Sequence, residues 1–223
     1  MKSRDWFGFT RLAITVATLA LLAGAANAGA AEPGWQIKAG GVWVQPALSY
    51  TLSNPDGTNF SVDSDNAVGL GFALEHRVSQ RLGLELGALW ASPDVNLRAE
   101  APGGETVEVS DGLAYTPITV GLNLYLMSSG SAEVYLTPVL AYVMYGDLTF
   151  SAGGDTLRIA VDNQWTWGLS LGANFRLGDG PWRFNGALSY VRTSLNATDL
   201  EGGGTEKIDF NPFAVTLGFG YRF

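Results

Sequence analysis

From Phe213 to Phe223 every second residue is apolar and bulky (Phe213, Val215, Leu217, Phe219, Tyr221, Phe223), and the positions between are Ala214, Thr216, Gly218, Gly220 and Arg222. A side-chain period of two defines a β-strand with one apolar face. The intervening residues are too small or too polar to form a core under a sheet, but they suit the crowded inside of a narrow barrel. An apolar outside with a small, polar inside is the pattern of a strand in lipid. The same alternation predicts eight strands: Trp35 to Gln45, Ala67 to Arg77, Leu82 to Ser92, Thr116 to Leu126, Val134 to Tyr145, Thr166 to Leu177, Trp182 to Thr193, and Asn211 to Phe223. Each is close to or above the roughly 9 to 11 residues with which a tilted strand crosses a bilayer.

The connections alternate strictly in length. Those after the second, fourth and sixth strands are brief, whereas those after the first, third, fifth and seventh are long and rich in Gly, Ser, Asn and Asp. Short turns on one rim and long loops on the other predict an all-β fold: an eight-stranded antiparallel up-and-down transmembrane β-barrel with short periplasmic turns and long extracellular loops. A soluble eight-stranded barrel would reverse the faces, with its apolar side inward. Here Gly69, Gly71, Gly83, Gly87, Gly121, Gly168, Gly172, Gly218 and Gly220 all lie opposite the Leu, Val and Phe face, which selects the membrane barrel. Aromatic residues near the strand ends form two belts. Trp35, Phe175, Trp182, Phe184, Tyr221 and Phe223 lie toward the periplasm, and Trp43, Trp90, Trp165, Trp167, Tyr190 and Phe213 toward the outside. Such belts sit at the two membrane interfaces.

The start of the chain breaks this rhythm. Basic Lys2, Arg4 and Arg11 precede an apolar run from Leu12 to Ala26 and the small-x-small triplet Ala26-Asn27-Ala28. This predicts a secretory signal peptide over residues 1–28 and one barrel domain over 29–223; the run is shorter than the roughly 20 residues of a spanning helix. The chain has 13 basic and 21 acidic residues. The leader holds three of the former (Lys2, Arg4, Arg11) and one of the latter (Asp5), so 10 and 20 remain, a balance of −10. That excess of negative charge excludes nucleic acid as a partner class. Cysteine is absent, which removes disulfides, thiolate metal sites and a Cys nucleophile.

Inward-facing residues sort by height. Near the periplasmic ends sit Lys38, Glu75, Arg77, Glu85, Arg176, Arg183 and Arg222; toward the outer ends the same parity gives Val42, Val44, Leu89, Val139, Val143 and Val191. An eight-stranded barrel has room inside only for side chains or one small ligand. The lower group is therefore expected to form a salt-bridged plug and the upper group an apolar lumen lining. A molecule entering from outside above a plug must leave sideways. Proline cannot donate to a ladder, and Pro46 and Pro212 stand at matching heights on the first and last strands, marking a candidate lateral opening; Pro93 and Pro117 flank the third and fourth strands similarly.

Catalytic chemistry finds no constellation. His76 is the one histidine, on the outward parity of Leu70, Phe72 and Leu74, and reads as an interfacial residue. Glu75 and Glu85 lie among cations, which favours ion pairing over acid–base work. Acidic residues in the long connections, including Asp56, Asp63, Asp111, Glu201 and Glu206, lack EF-hand spacing and read as solvated charge. No cofactor is expected.

Four segments carry a family resemblance: Trp35 opening the first strand, Leu82-Gly83-Leu84-Glu85-Leu86, Tyr115-Thr116-Pro117-Ile118-Thr119-Val120, and Asp209-Phe210-Asn211-Pro212 leading to the Gly-Tyr-Arg-Phe end. With these the chain resembles the OmpW family of small outer-membrane proteins over nearly the whole mature length. The resemblance implies an eight-stranded barrel with a narrow, largely hydrophobic lumen, linked to uptake of small apolar molecules. The expected location is the bacterial outer membrane. The partners expected are outer-membrane lipid and lipopolysaccharide, small apolar ligands, and the barrel-insertion machinery acting on the C-terminal strand. The contrasting expectation is a structural or receptor barrel without transport.

Overall fold

The computed structural model describes residues 34–53, 57–152, 154–199 and 205–223. The predicted leader, Asp56 and Glu201 lie outside the described residues, as does the side chain of Glu206. Among these described residues sixteen strands follow one another. The first half of the chain holds β1 (Gly34–Gln45), β2 (Ser49–Ser53), β3 (Asn59–Ser64), β4 (Ala67–Ser79), β5 (Leu82–Trp90), β6 (Asp94–Glu100), β7 (Thr106–Gly112) and β8 (Tyr115–Ser128). The second holds β9 (Ala132–Tyr145), β10 (Leu148–Ala152), β11 (Asp155–Val161), β12 (Gln164–Arg176), β13 (Trp182–Arg192), β14 (Ser194–Asp199), β15 (Thr205–Asp209) and β16 (Phe213–Arg222).

Eight of these close into an antiparallel barrel in the order β1-β16-β13-β12-β9-β8-β5-β4, with β4 returning to β1. They are the eight strands expected from alternation, shifted at their ends by a few residues. Their outward residues remain uncovered: Val68 is 80% exposed, and Leu70, Leu86, Val120, Leu140, Trp167 and Phe219 are exposed beside it. A continuous apolar band around a closed barrel is a lipid-facing surface.

The seam between the first and last strands depends on glycine. Gly40 faces Gly218 on β16 and Gly71 on β4. A Cβ on Gly218 would stand 2.1 Å from the Ala39 carbonyl oxygen, and one on Gly40 would stand 2.4 Å from that of Leu217. The two backbones approach so closely that only glycine fits on either side.

The long connections are not irregular loops. β2, β3, β6 and β7 form one four-stranded sheet above the barrel, and β10, β11, β14 and β15 form a second. Their faces are segregated: Tyr50, Val62, Leu97 and Val109 align across the first sheet, as do Phe150 with Leu157 and Leu195 with Ile208 in the second. The apolar faces pack into a core that caps the barrel, containing Val95, Leu148, Phe150 and Leu195. The opposite faces carry Asp63, Asn96, Arg98 and Glu108.

Candidate functional site

The inside of the barrel is layered, and its floor is ionic. Lys38 Nζ lies 2.7 Å from Glu75 and 2.6 Å from Glu85. Tyr125 donates its hydroxyl to Glu75, Asn123 Nδ2 donates to Glu85 Oε2 (3.1 Å), and Thr137 donates to Asn123 (2.6 Å). Beside this trio Arg77 and Arg222 converge on one carboxylate, Glu133. Arg77 bonds its Oε1, and the Arg222 guanidinium reaches both oxygens at 2.9 and 2.7 Å. Asn174 adds a bond to Oε2, and Gln36 accepts from Arg222 at 2.9 Å. Among the described residues three cations and three carboxylates thus balance in one network of two hydrogen-bonded clusters, joined where the Arg77 guanidinium lies 3.7 Å from the centre of the Tyr125 ring. Buried charge is tolerated because each member is paired and hydrogen-bonded.

Five of the seven residues expected in the plug, Lys38, Glu75, Arg77, Glu85 and Arg222, are in this network. Arg176 and Arg183 are not. They face each other across β12 and β13 at the periplasmic rim, where Arg176 donates to the Asp179 carbonyl and Arg183 to those of Gly180 and Trp182. Both are held by the turn carbonyls beside them. Glu133 lies just outside the strand that alternation predicts from Val134, within the short turn before it, whereas the observed strand starts at Ala132. It shares the inward parity of Tyr135, two residues further along the strand.

Above the floor the wall is made of small residues, and a cavity of about 140 Å³ remains. Gly71, Gly87 and Ala187 leave the space; Val42, Leu89, Val139 and Val191 supply its apolar walls. Thr119, Ser170, Ser189 and Thr216 add hydroxyls, with Ser189 donating to Ser170 at 2.9 Å. The volume is on the order of the ~150 Å³ that accommodates one benzene ring inside a protein.

Val44 and Val143, expected on the same lining, are fully buried in the roof instead. Phe210 closes that roof, its ring tilted against Tyr115 (5.5 Å) and edge-on to Tyr145 (6.0 Å), in the same core as Leu113 and Leu48. Asn211 places it: this residue takes a positive φ of 33°, a conformation Asn tolerates, and its Oδ1 accepts from the Thr193 amide at 2.9 Å. The roof was missed because it is assembled from connections read as loops.

The prolines differ in what they do to the wall. The β1–β16 ladder runs without a break from Gln36–Arg222 to Gln45–Phe213. Pro46 and Pro212 follow at its outer end, and the chain bonds again at once, Ala47 donating to Phe210 (2.8 Å). The seam below them is closed. Pro93 accepts from Leu113 above the barrel (2.9 Å). At Pro117 the wall is interrupted: the β5–β8 ladder stops at Ala88–Ile118 and resumes at the Ala91–Tyr115 bridge. Ala91 and Tyr115 exchange both bonds, so Leu89 and Pro117, two positions on, occupy the next bonded site, and Pro117 has no N–H to give. Both residues line the cavity. His76 lies on the outside, its ring 4.4 Å from that of Trp35.

A closed barrel with an uncovered apolar belt, an ionic floor and a capped interior defines an outer-membrane β-barrel protein. The chain belongs to the outer membrane protein beta-barrel domain family, whose model matches residues 16–223. Among solved structures it is similar to the outer membrane protein OprG from Pseudomonas aeruginosa, with 19% identity, a TM-score of 0.66, and 87% of this chain and 98% of that one covered. It is also similar to the outer membrane protein AlkL in lipid bilayers, with 20% identity, a TM-score of 0.58, and 89% and 94% covered. At these identities the likeness is one of fold. No curated protein matches the sequence.

Proposed function

We propose that this protein is an OmpW-type barrel that gives small hydrophobic molecules passage from the outside into the outer membrane itself. The observation that carries the reading is the cavity between the ionic floor and the aromatic roof, bordered by the wall interruption at Leu89 and Pro117. The floor closes the straight route to the periplasm, because a molecule descending further would have to part paired buried charges. The side wall is the weaker barrier: one ladder bond is already missing there, and lipid lies beyond it. Entry requires the roof around Phe210 to open. Release is assigned to the Pro117 side rather than to Pro46 and Pro212, whose seam is fully bonded below. The segments shared with the OmpW family support the same reading.

The rival reading, a structural or receptor barrel without transport, draws support from the roof, since Phe210 and Leu113 are completely buried. Uptake separates the two. Cells with the protein are expected to accumulate a small apolar compound faster than cells without it, and Leu89→Asp, which sets a charge on the cavity wall, is expected to abolish the gain. Equal uptake in all three strains would leave only the structural reading.

A further inference from the structure

The cavity floor presents a polar feature that passage of hydrocarbons does not use. Of the three plug carboxylates, the Glu75 and Glu133 side chains are 1% and 5% exposed, whereas that of Glu85 is 21% exposed and lines the cavity. Lys38 and Asn123 both bond its Oε2, and among the described residues none bonds Oε1, which leaves it as an open acceptor. The neighbouring ions do not neutralise this face: Lys38 is shared between Glu75 and Glu85, one cation to two carboxylates, and the compensating excess of cations lies around Glu133 on the periplasmic side. Above this side chain the apolar walls and hydroxyls border a space the size of one ring.

A hydrogen-bond donor brought into this space finds an anionic acceptor with its oxygen free, and charge-assisted bonds of this kind are about twice as strong as neutral ones. A molecule with no donor leaves the acceptor unmet and gains only its apolar contacts. Because a site built to bond a hydroxyl discriminates against the isostere lacking one, the preference falls on the amphiphile.

Resting on the proposed passage function, we infer that the cavity is a selective site for small amphiphiles, an apolar ring-sized body with one hydroxyl donor, whose hydroxyl is received by Glu85. Phenol, toluene and anisole test this, since they share the ring and differ in the donor: phenol has one, anisole only an acceptor, toluene neither. Each is titrated into the full barrel in lipid nanodiscs, with binding followed on the backbone amide resonances of Gly87 and Ser170. Phenol is expected to bind about tenfold more tightly than toluene and anisole, and Glu85→Gln, which leaves the Lys38–Glu75 pair in place, to remove most of that preference. Should Glu85→Gln not fold, the ranking in the unaltered protein decides alone. Toluene binding as tightly as phenol would overturn the amphiphile preference and leave passage standing. Failure of all three to perturb the cavity amides, with no gain in uptake, would remove the passage reading as well.

Discussion

Glu133→Gln tests the floor most severely, because it keeps the shape of the side chain while removing its charge and turning one of its two acceptor oxygens into a donor. Glu133 is 4% exposed and accepts four bonds, from Arg77, twice from Arg222, and from Asn174. An amide offers one acceptor oxygen in place of two, so half of these contacts become donor against donor. Bonds to charged groups contribute about 1.5–3 kcal/mol each, and stripping one partner from a buried ion pair costs about 3–5 kcal/mol. The expected loss is therefore about 3–5 kcal/mol in urea unfolding of the micelle-embedded barrel, followed by tryptophan fluorescence. Adding Arg222→Gln restores the balance of charges, so the double variant should be less destabilised than the two single losses summed, by about 1–3 kcal/mol. A single-variant loss under about 1 kcal/mol, or strict additivity, would show that the network is not the coupled plug described.

Three further outcomes follow from the geometry. Gly218→Val should prevent formation of the folded, heat-shifted band on gels, because its Cβ meets the Ala39 carbonyl at 2.1 Å, whereas Gly41→Ala, with nothing within 4 Å, should fold normally. Phe210→Ala should cost about 3–5 kcal/mol in the same unfolding assay and raise uptake of an apolar compound by loosening the roof; unchanged uptake would mean that the roof is not the entry barrier. Arg176→Ala and Arg183→Ala should each change stability by no more than about 0.5 kcal/mol, since among the described residues each side chain bonds only to nearby turn carbonyls and faces a like charge.

The barrel was legible because its strands are long and their two faces differ sharply in size and polarity. The strands above the membrane carry the same signal more briefly, as Tyr50 with Leu52, Phe60 with Val62, and Leu157, Ile159 and Val161. Five to seven residues among glycines and acids read as loops until their partners are known. The ionic floor was half legible: inward parity gave Lys38, Glu75, Arg77, Glu85 and Arg222, but parity does not give partners. Arg222 meets Glu133 from 89 positions away, a contact set by barrel closure and stagger. Proline positions were visible as well. Their consequences depended on register, which leaves Pro46 and Pro212 at the end of an intact seam and Pro117 at a bonded position within the wall.

The side exit is tested most directly by stapling it. Ala88–Ile118 and Ala91–Tyr115 share one register, which sets Trp90 opposite Thr116 at a non-bonded position, the closer kind of cross-strand pair and within reach of a disulfide. The chain has no cysteine of its own, so Trp90→Cys with Thr116→Cys gives a single defined crosslink. Uptake of a small apolar compound should fall to the level of cells lacking the protein when the pair is oxidised, and return on reduction. Uptake that is the same in the oxidised and reduced states would contradict lateral release beside Pro117.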